Sequence, residues 1–339
     1  MSGVVILIYL LSVFLLTVLL LFVYLKVSKH FHWFDQPNES RKIHIQAKPT
    51  SAGLIFMLPV VFGLLVFPSA FGEFSLTIGF SILVLLIMGG IDDFKPIPTF
   101  LRLIVIIFIS AFLLYKFFNF ESFSLLLLSI YLLGLIWWLN LYNFMDGADG
   151  MAILHAIAAI LGYIIVFSMS IQSYDFAVFP YMFLLLMCLM AFLLFNYPIA
   201  KIFMGDSGSL AVAFCLAIAA LYGISKGLFD EVLVISFHLV FIIDTTLTLM
   251  TRLKFKHKLT QAHNLHYFQS LIASGKSHTM VSTLYFCVSI FTIIIAVILH
   301  KINTSLSIRF SVLMIEVMVL SYIWFKFHNK TKYERFVKH

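Results

Sequence analysis

Charge is what this sequence has least of. Only 11% of its 339 residues are Asp, Glu, Lys or Arg, and 62% are hydrophobic. A soluble domain carries about 25% charged residues, so no water-soluble fold could hide this apolar surface, and the solvent must be lipid. Alternating apolar and polar segments are missing too. Backbone groups in lipid are satisfied only in helices or closed barrels. The apolar runs here are continuous and near 20 residues long, which leaves an all-α bundle. Cysteine is scarce: Cys188, Cys215 and Cys287 all lie inside apolar runs and read as small core residues, not disulfides or metal ligands. No soluble domain is found. The longest polar stretch runs from Lys29 to Thr50, and the basic tail from Lys326 to His339 is short. No basic residue precedes the first apolar run, which is too long for a typical signal peptide. A retained helix with its N-terminus outside is expected. There is no clear internal repeat, and none of the paired broken helices that mark an inverted-repeat transporter.

What is present is a series of eleven expected spans, at 4–26, 52–68, 74–91, 99–118, 123–139, 150–170, 177–195, 207–225, 231–250, 279–300 and 307–325. They make one transmembrane domain over 1–339. The connections alternate between two faces. One face carries 28–51, 92–98, 140–149, 196–206, 251–278 and the C-terminal tail; the other carries short links near Ser69, Asn119, Gln172, Gly227 and Asn303. Of the 22 lysines and arginines, only Lys116, Lys226, Lys301 and Arg309 fall on the second face. The positive-inside rule makes the first face cytoplasmic and the C-terminus cytoplasmic with it. The net charge of +7 then sets orientation and touches anionic membrane lipids, with Arg252 to Lys258 as a headgroup anchor. Nucleic acid is not an expected partner.

The cytoplasmic links share an acidic and amidic composition. GGIDDFKP holds Asp92 and Asp93; NLYNFMDGADG holds Asn140, Asn143, Asp146 and Asp149. FNYPIAKIFMGDSGS holds Asn196, Phe203, Asp206 and Ser207, and QAHNLHYF holds His263 and His266. Carboxylate and amide oxygens are hard ligands suited to Mg2+ or Mn2+, and Mg2+ needs few protein ligands when phosphates complete its shell. Lys48, Lys95, Arg102 and Lys201 could neutralise phosphate oxygens, and MGDSGS opens the eighth helix with its N–H groups aimed outward. Together these are the parts of a metal-assisted phosphoryl-transfer site. Steps of three along an unbroken helix drift by about 60° each, so Asn140 to Asp149 face one point only if the helix breaks, and Gly147 and Gly150 could break it.

Each feature also has a plainer reading. Asp92 and Asp93 could be solvated, DGADG a turn, and GDSGS an N-cap by Asp206 or Ser207. His263 and His266 could be surface residues, and Asp35 and Glu39 solvated. Asp244 lies inside the ninth span, where an ionisable group is a functional candidate or a structural pair. Glu316 lies mid-span with no motif around it.

At these residues the chain resembles the polyprenyl-phosphate N-acetylhexosamine-1-phosphate transferases (glycosyltransferase family 4), which include the muramoyl-pentapeptide translocase and the enzymes that initiate O-antigen and teichoic acid assembly. The resemblance is ordered and runs from Asp35 to about Leu271. PNESRKIHIQAKPTSAG is similar to the family's first cytoplasmic loop, and AHNLHYFQ to the histidine loop of the O-antigen branch. Ala52-Gly53 stands where many relatives have consecutive glycines. The resemblance implies transfer of an N-acetylated sugar 1-phosphate from a UDP-sugar to undecaprenyl phosphate, with release of UMP. This would be an initiating step of a lipopolysaccharide or similar envelope polysaccharide, at the cytoplasmic face of a bacterial inner membrane. It implies that Asp206 and Asn143 hold Mg2+ and that Asp92 and Asp93 sit beside the prenyl phosphate as catalytic residues, with one of them available as a general base. Asp149 and Phe203 would form the uracil pocket, Lys48, Arg102, Asn140, Asn196 and His266 would support substrates, and His263 would lie near the diphosphate or sugar. Some relatives are dimers, so a homodimer is a further expectation. A prenyl phosphate is largely ionised at neutral pH, with a second pKa of about 6. A general base therefore gains little, and direct attack is favoured over a covalent aspartyl intermediate. The competing reading is a transporter of a lipid-linked or anionic solute, which needs polar groups at mid-membrane, where the sequence offers mainly Glu316 and His238.

Overall fold

A computed structural model of the chain describes residues 3–31, 34–35, 48–72, 74–118, 124–169, 178–257 and 263–337. Most of the loop from 28 to 51, with Glu39 and the segment PNESRKIHIQ, lies outside the described residues. The elements run α1 (Gly3–Phe31), β1 (Phe34–Asp35), β2 (Lys48–Pro49), α2 (Gly53–Phe56), α3 (Leu58–Val66), α4 (Pro68–Phe71), α5 (Ser75–Phe94), α6 (Thr99–Phe117), α7 (Leu125–Met145), α8 (Met151–Met169), α9 (Val178–Asn196), α10 (Gly205–Ser225), α11 (Glu231–Lys254), α12 (Tyr267–Ala273), α13 (His278–Lys301) and α14 (Leu306–Val337). The sole β feature among the described residues is a two-residue antiparallel pairing, Phe34 with Pro49 and Asp35 with Lys48. The protein is a polytopic membrane helical bundle.

Ten of these helices are long and apolar enough to cross a membrane. The expected span at 52–68 is the exception. It is broken into α2 and α3, with Met57 between them and Pro59 in the first turn of α3. Proline offers no N–H and ends the preceding helix. At about 1.5 Å per residue, Gly53–Val66 reaches roughly 20 Å, short of the ~30 Å hydrocarbon core.

The core is organised around α10, enclosed by α5, α7, α8 and α2. Its small residues, among them Gly208, Ser209, Ala211, Ala213, Ala217 and Ala219, are all buried and let neighbouring helices approach closely. Larger side chains then tie in from outside: the Trp138 indole donates to the Ala213 carbonyl at 2.8 Å and the Tyr181 hydroxyl to Cys215 at 3.2 Å. By contrast α14 shows Phe310, Met314, Ile315, Met318 and Tyr322 outward, the surface expected against lipid. At one end of the bundle Asp230 caps α11 and pairs with Arg309 of α14 at 2.6 Å, and Tyr131 of α7 donates to Glu231.

Of the two mid-membrane polar residues a transport path could use, His238 is sealed in the interior, while Glu316 on α14 is partly exposed. His155 and His238 contact each other at 3.0 Å, His238 contacts the Tyr163 hydroxyl at 3.1 Å, and His155 contacts Ser289 at 3.3 Å. Phe241 stacks on His155, and Trp138 lies against His238. This chain of hydrogen bonds joins α8, α11 and α13 and satisfies polar groups in a setting where an unpaired one is expensive.

Candidate active site

The N-terminus of α10 is the point on which the acidic motifs converge. Gly205 has φ +73, a left-handed conformation, and a Cβ there would collide with the Asp93 carboxylate. Glycine therefore lets the chain turn into α10 with its first N–H groups aimed at α5. The sequence presents Asp92 and Asp93 as one feature, yet they have different tasks. Both lie in the last turn of α5, not in a loop. Asp93 accepts hydrogen bonds from the Asp206 N–H at 2.7 Å, the Ser207 hydroxyl at 3.0 Å and the Ser207 N–H at 3.4 Å. It is thus the anion that satisfies the start of α10, a role the sequence suggested for Asp206 or Ser207 themselves. Asp92 turns the other way. It accepts from the Ile97 N–H at 2.5 Å and pairs with Arg102 at 2.8 Å.

Arg102, in the first turn of α6, links the two sides of the cluster: the same guanidinium nitrogen that meets Asp92 lies 3.0 Å from Asp206. The other oxygen of Asp206 accepts from the Asn143 amide at 2.9 Å, and that amide also reaches Ser209 at 2.9 Å. The Asp206 side chain stays 31% exposed, so it is oriented from both sides and open to a ligand. α7 ends at Met145, the break that brings Asn143, Asp146 and Asp149 to one side. Asn140 stays out of this cluster: its amide donates to Ile136 of its own helix at 2.7 Å. Asp146 stands at the end of α7. Desolvation, and then the carboxylates of Asp206, Asp93 and Asp149, hold its carboxyl well above the usual range.

A second group forms beside the first. Lys48 lies 3.4 Å from Asp149 and 5.0 Å from the centre of the Phe203 ring. Asp149 also accepts from the Ala200 N–H at 3.0 Å and lies 3.6 Å from His278. The backbone around 48–53 is stitched to the 196–206 connection: Phe203 donates to Pro49, Ala52 to Phe203 and Gly53 to Met204. Gly53 is needed there, since a Cβ would fall on the backbone of Gly208. Asn196, expected among the substrate-supporting residues, is buried and bonds the Gly150 N–H at 3.0 Å and the Ile202 carbonyl at 2.9 Å. Its task is to hold two connections together.

The histidines lie in the connection that leads into α12. His266, also expected to support substrate, is instead buried at the N-cap of α12, with its backbone N–H donating to Gln269. His263 lies against it, rings 4.9 Å apart. Phe268 packs on Gly147, so α12 touches the turn that carries Asp146 and Asp149. His278 and the glycine at 205 carry no signal in the sequence that marks them as part of the site, whereas Gly53 stands in the Ala52-Gly53 pair already noted. The sequence singles out Asp244 without a role; that carboxylate sits under α12.

Among the described residues no three His, Cys, Asp or Glu side chains form a ready-made metal cage. Mg2+ does not require one, because one or two carboxylates plus phosphates and water suffice. The donors present fit such an ion: Asp206 and Asp92 are hard oxygens held side by side, and Asp146 is a carboxyl whose charge its neighbours disfavour and a cation would favour.

Residues 75–224, from α5 to the end of α10, match the model of the family described as Glycosyl transferase family 4. A phospho-N-acetylmuramoyl-pentapeptide-transferase of Kosmotoga olearia is 30% identical over 250 residues, 66% of this chain and 75% of that one. The chain belongs to glycosyl transferase family 4. A second relative of this family 4 protein, from Bacillus subtilis (strain 168), carries the name "Probable undecaprenyl-phosphate N-acetylglucosaminyl 1-phosphate transferase". It is 28% identical over 325 residues, 90% of this chain and 89% of the relative. A phospho-N-acetylmuramoyl-pentapeptide-transferase of Leuconostoc citreum is 29% identical over 227 residues, 58% and 67% of the two chains. Asp92, Asp93, Arg102, Asn143, Asp146, Asp149 and Asp206 all fall inside the matched region, whereas Lys48, Asp244, His263 and His266 lie beyond it.

Proposed function

We propose that this family 4 member transfers an N-acetylated sugar 1-phosphate from a UDP-sugar to undecaprenyl phosphate, the initiating step of an envelope polysaccharide, at the cytoplasmic face of the inner membrane. The observation that carries the reading is the Asp206 carboxylate, partly open at the head of α10 and held between Arg102 and Asn143. The names of the relatives from Bacillus subtilis and Kosmotoga olearia support it.

In this reaction an oxygen of the prenyl phosphate forms a bond to the sugar-bearing phosphorus. The bond from that phosphorus to the bridging oxygen breaks, and UMP leaves with that oxygen. The acceptor is already ionised at neutral pH, so positioning and charge neutralisation carry the rate. Asp206, Asp92 and Asn143 would hold Mg2+, which when bound neutralises phosphate charge. Arg102 is placed to meet phosphate oxygens at the same point. Lys48, Asp149 and Phe203 form the nucleotide side, with the Phe203 ring as a stacking face and Asp149 as an acceptor for the uracil N–H. Asp93, committed to α10, keeps Asp206 in place and does not act as a base.

The test incubates purified protein with undecaprenyl phosphate, Mg2+ and a panel of UDP-sugars, and measures UMP. Release should require the lipid and identify the donor. Asp206→Ala should lower turnover by about a hundredfold or more while the protein remains folded. An Asp206→Ala enzyme with normal turnover would refute the reading.

A further inference from the structure

Asp244 is the most heavily bonded carboxylate described here, and it contacts nothing in the acidic cluster. It lies inside the membrane-spanning part of α11 and is 2% exposed. One oxygen accepts from the Tyr267 N–H at 2.7 Å, Thr248 at 3.3 Å and the Trp324 indole at 3.4 Å. The other accepts from the Tyr285 hydroxyl at 2.7 Å and the Phe268 N–H at 3.2 Å. The His266 ring nitrogen is 3.8 Å away.

These donors belong to four elements: α11 itself, α12, α13 and α14. A carboxylate that only fastened helices in lipid would need the side-chain donors alone. Here two of the donors are the first backbone N–H groups of α12. That helix has seven residues, too few to hold its own shape. An anion at its first turn satisfies its orphan donors and its dipole. The anchored end is itself the part that meets the acidic turn: Phe268, whose N–H Asp244 holds, packs on Gly147, and His263, three residues before the His266 N-cap, lies against the His266 ring.

We infer that Asp244 is the positioning residue of the histidine loop. From within the membrane helix it fixes α12, and so sets where His263 and Phe268 stand against the turn of Asp146 and Asp149. It touches no substrate. Its kinetic consequence rests on the transferase reading above; its anchoring of α12 does not.

The experiment therefore has two arms, both on the full-length protein in detergent. Hydrogen exchange should show the Tyr267 and Phe268 amides losing protection in Asp244→Asn while the amides of α10 keep theirs. Unchanged protection at Tyr267 and Phe268 would overturn the inference. In the kinetic arm, Asp244→Asn should lower UMP release by between about tenfold and a hundredfold while UMP binding is retained, because Lys48, Asp149 and Phe203 are undisturbed. In a His263→Ala background the same substitution should cost much less, since both act through one loop. Full additivity, or loss of UMP binding together with turnover, would mean that Asp244 is only a fastener and would overturn the inference. Tyr285→Phe removes one donor and leaves the carboxylate, so it should give the same pattern at smaller size even if Asp244→Asn folds poorly. A wild-type protein that releases no UMP with any donor would refute the transferase reading, and the exchange arm would still decide the anchor.

Discussion

At the scale of single residues, the site is built by giving similar side chains different partners. Asp92 meets a cation, Asp93 meets backbone N–H groups, and Asp146 has carboxylates around it. The last arrangement has a consequence for pH. The Asp146 pKa is raised in the folded protein, so the folded state holds this proton more tightly than the unfolded one. The associated stability is fully present below the unfolded value of about 4 and is lost as pH rises through the raised one. Asp146→Asn removes that dependence and keeps the shape. In EDTA, thermal melting should find the variant increasingly more stable than wild type as pH rises from about 5 to about 8. Added Mg2+ should narrow the gap by stabilising the wild-type carboxylate. A gap that stays constant with pH would show that neither burial nor the neighbouring carboxylates raise the Asp146 pKa.

At the scale of elements, the critical contact is between the end of α5 and the start of α10. A Cβ at Gly89 would fall on the backbone of Ser207, whereas one at Gly134 of α7 meets nothing within 4 Å. Backbone cannot move aside as a flexible side chain can, so Gly89→Ala must part α5 from α10 and shift Asp206 away from Arg102 and Asn143. Turnover in Gly89→Ala should fall by about tenfold or more. Gly134→Ala, a favourable exchange in a helix interior, should leave it unchanged. Much of this element layer was legible in the sequence, because apolar length reports spans directly: α5, α6, α9 and α13 begin and end within a few residues of expectation. Partner choice was not legible. Nothing in GGIDDFKP says that Asp93 reaches α10, and nothing around Asp244 says that its donors come from α12, α13 and α14. Those bonds depend on how helices pack, which hydrophobic length does not encode. The expected span at 52–68 is shorter and broken for a local reason: Pro59, in the first turn of α3, interrupts an otherwise apolar run.

At the scale of the whole molecule, lysine and arginine should decide which way the bundle faces. Asp92, Arg102, Asn143 and Asp206 gather at the end that also carries Lys95, Lys201 and Arg252, and Lys226 and Lys301 lie at the other. Excess positive charge stays on the cytoplasmic side, and that is the side on which a nucleotide-activated sugar would be met. Lys201 and Lys226 are both exposed, one at each end, so they report orientation without disturbing the core. With Cys188, Cys215 and Cys287 first replaced by alanine, Lys226→Cys should react with a membrane-impermeant maleimide in cells whose inner membrane is intact. Lys201→Cys should react only after that membrane is opened. The reverse pattern would put the acidic site outside, away from cytoplasmic nucleotide sugars. It would defeat the positive-inside reading and the proposed reaction together, since the same face carries both.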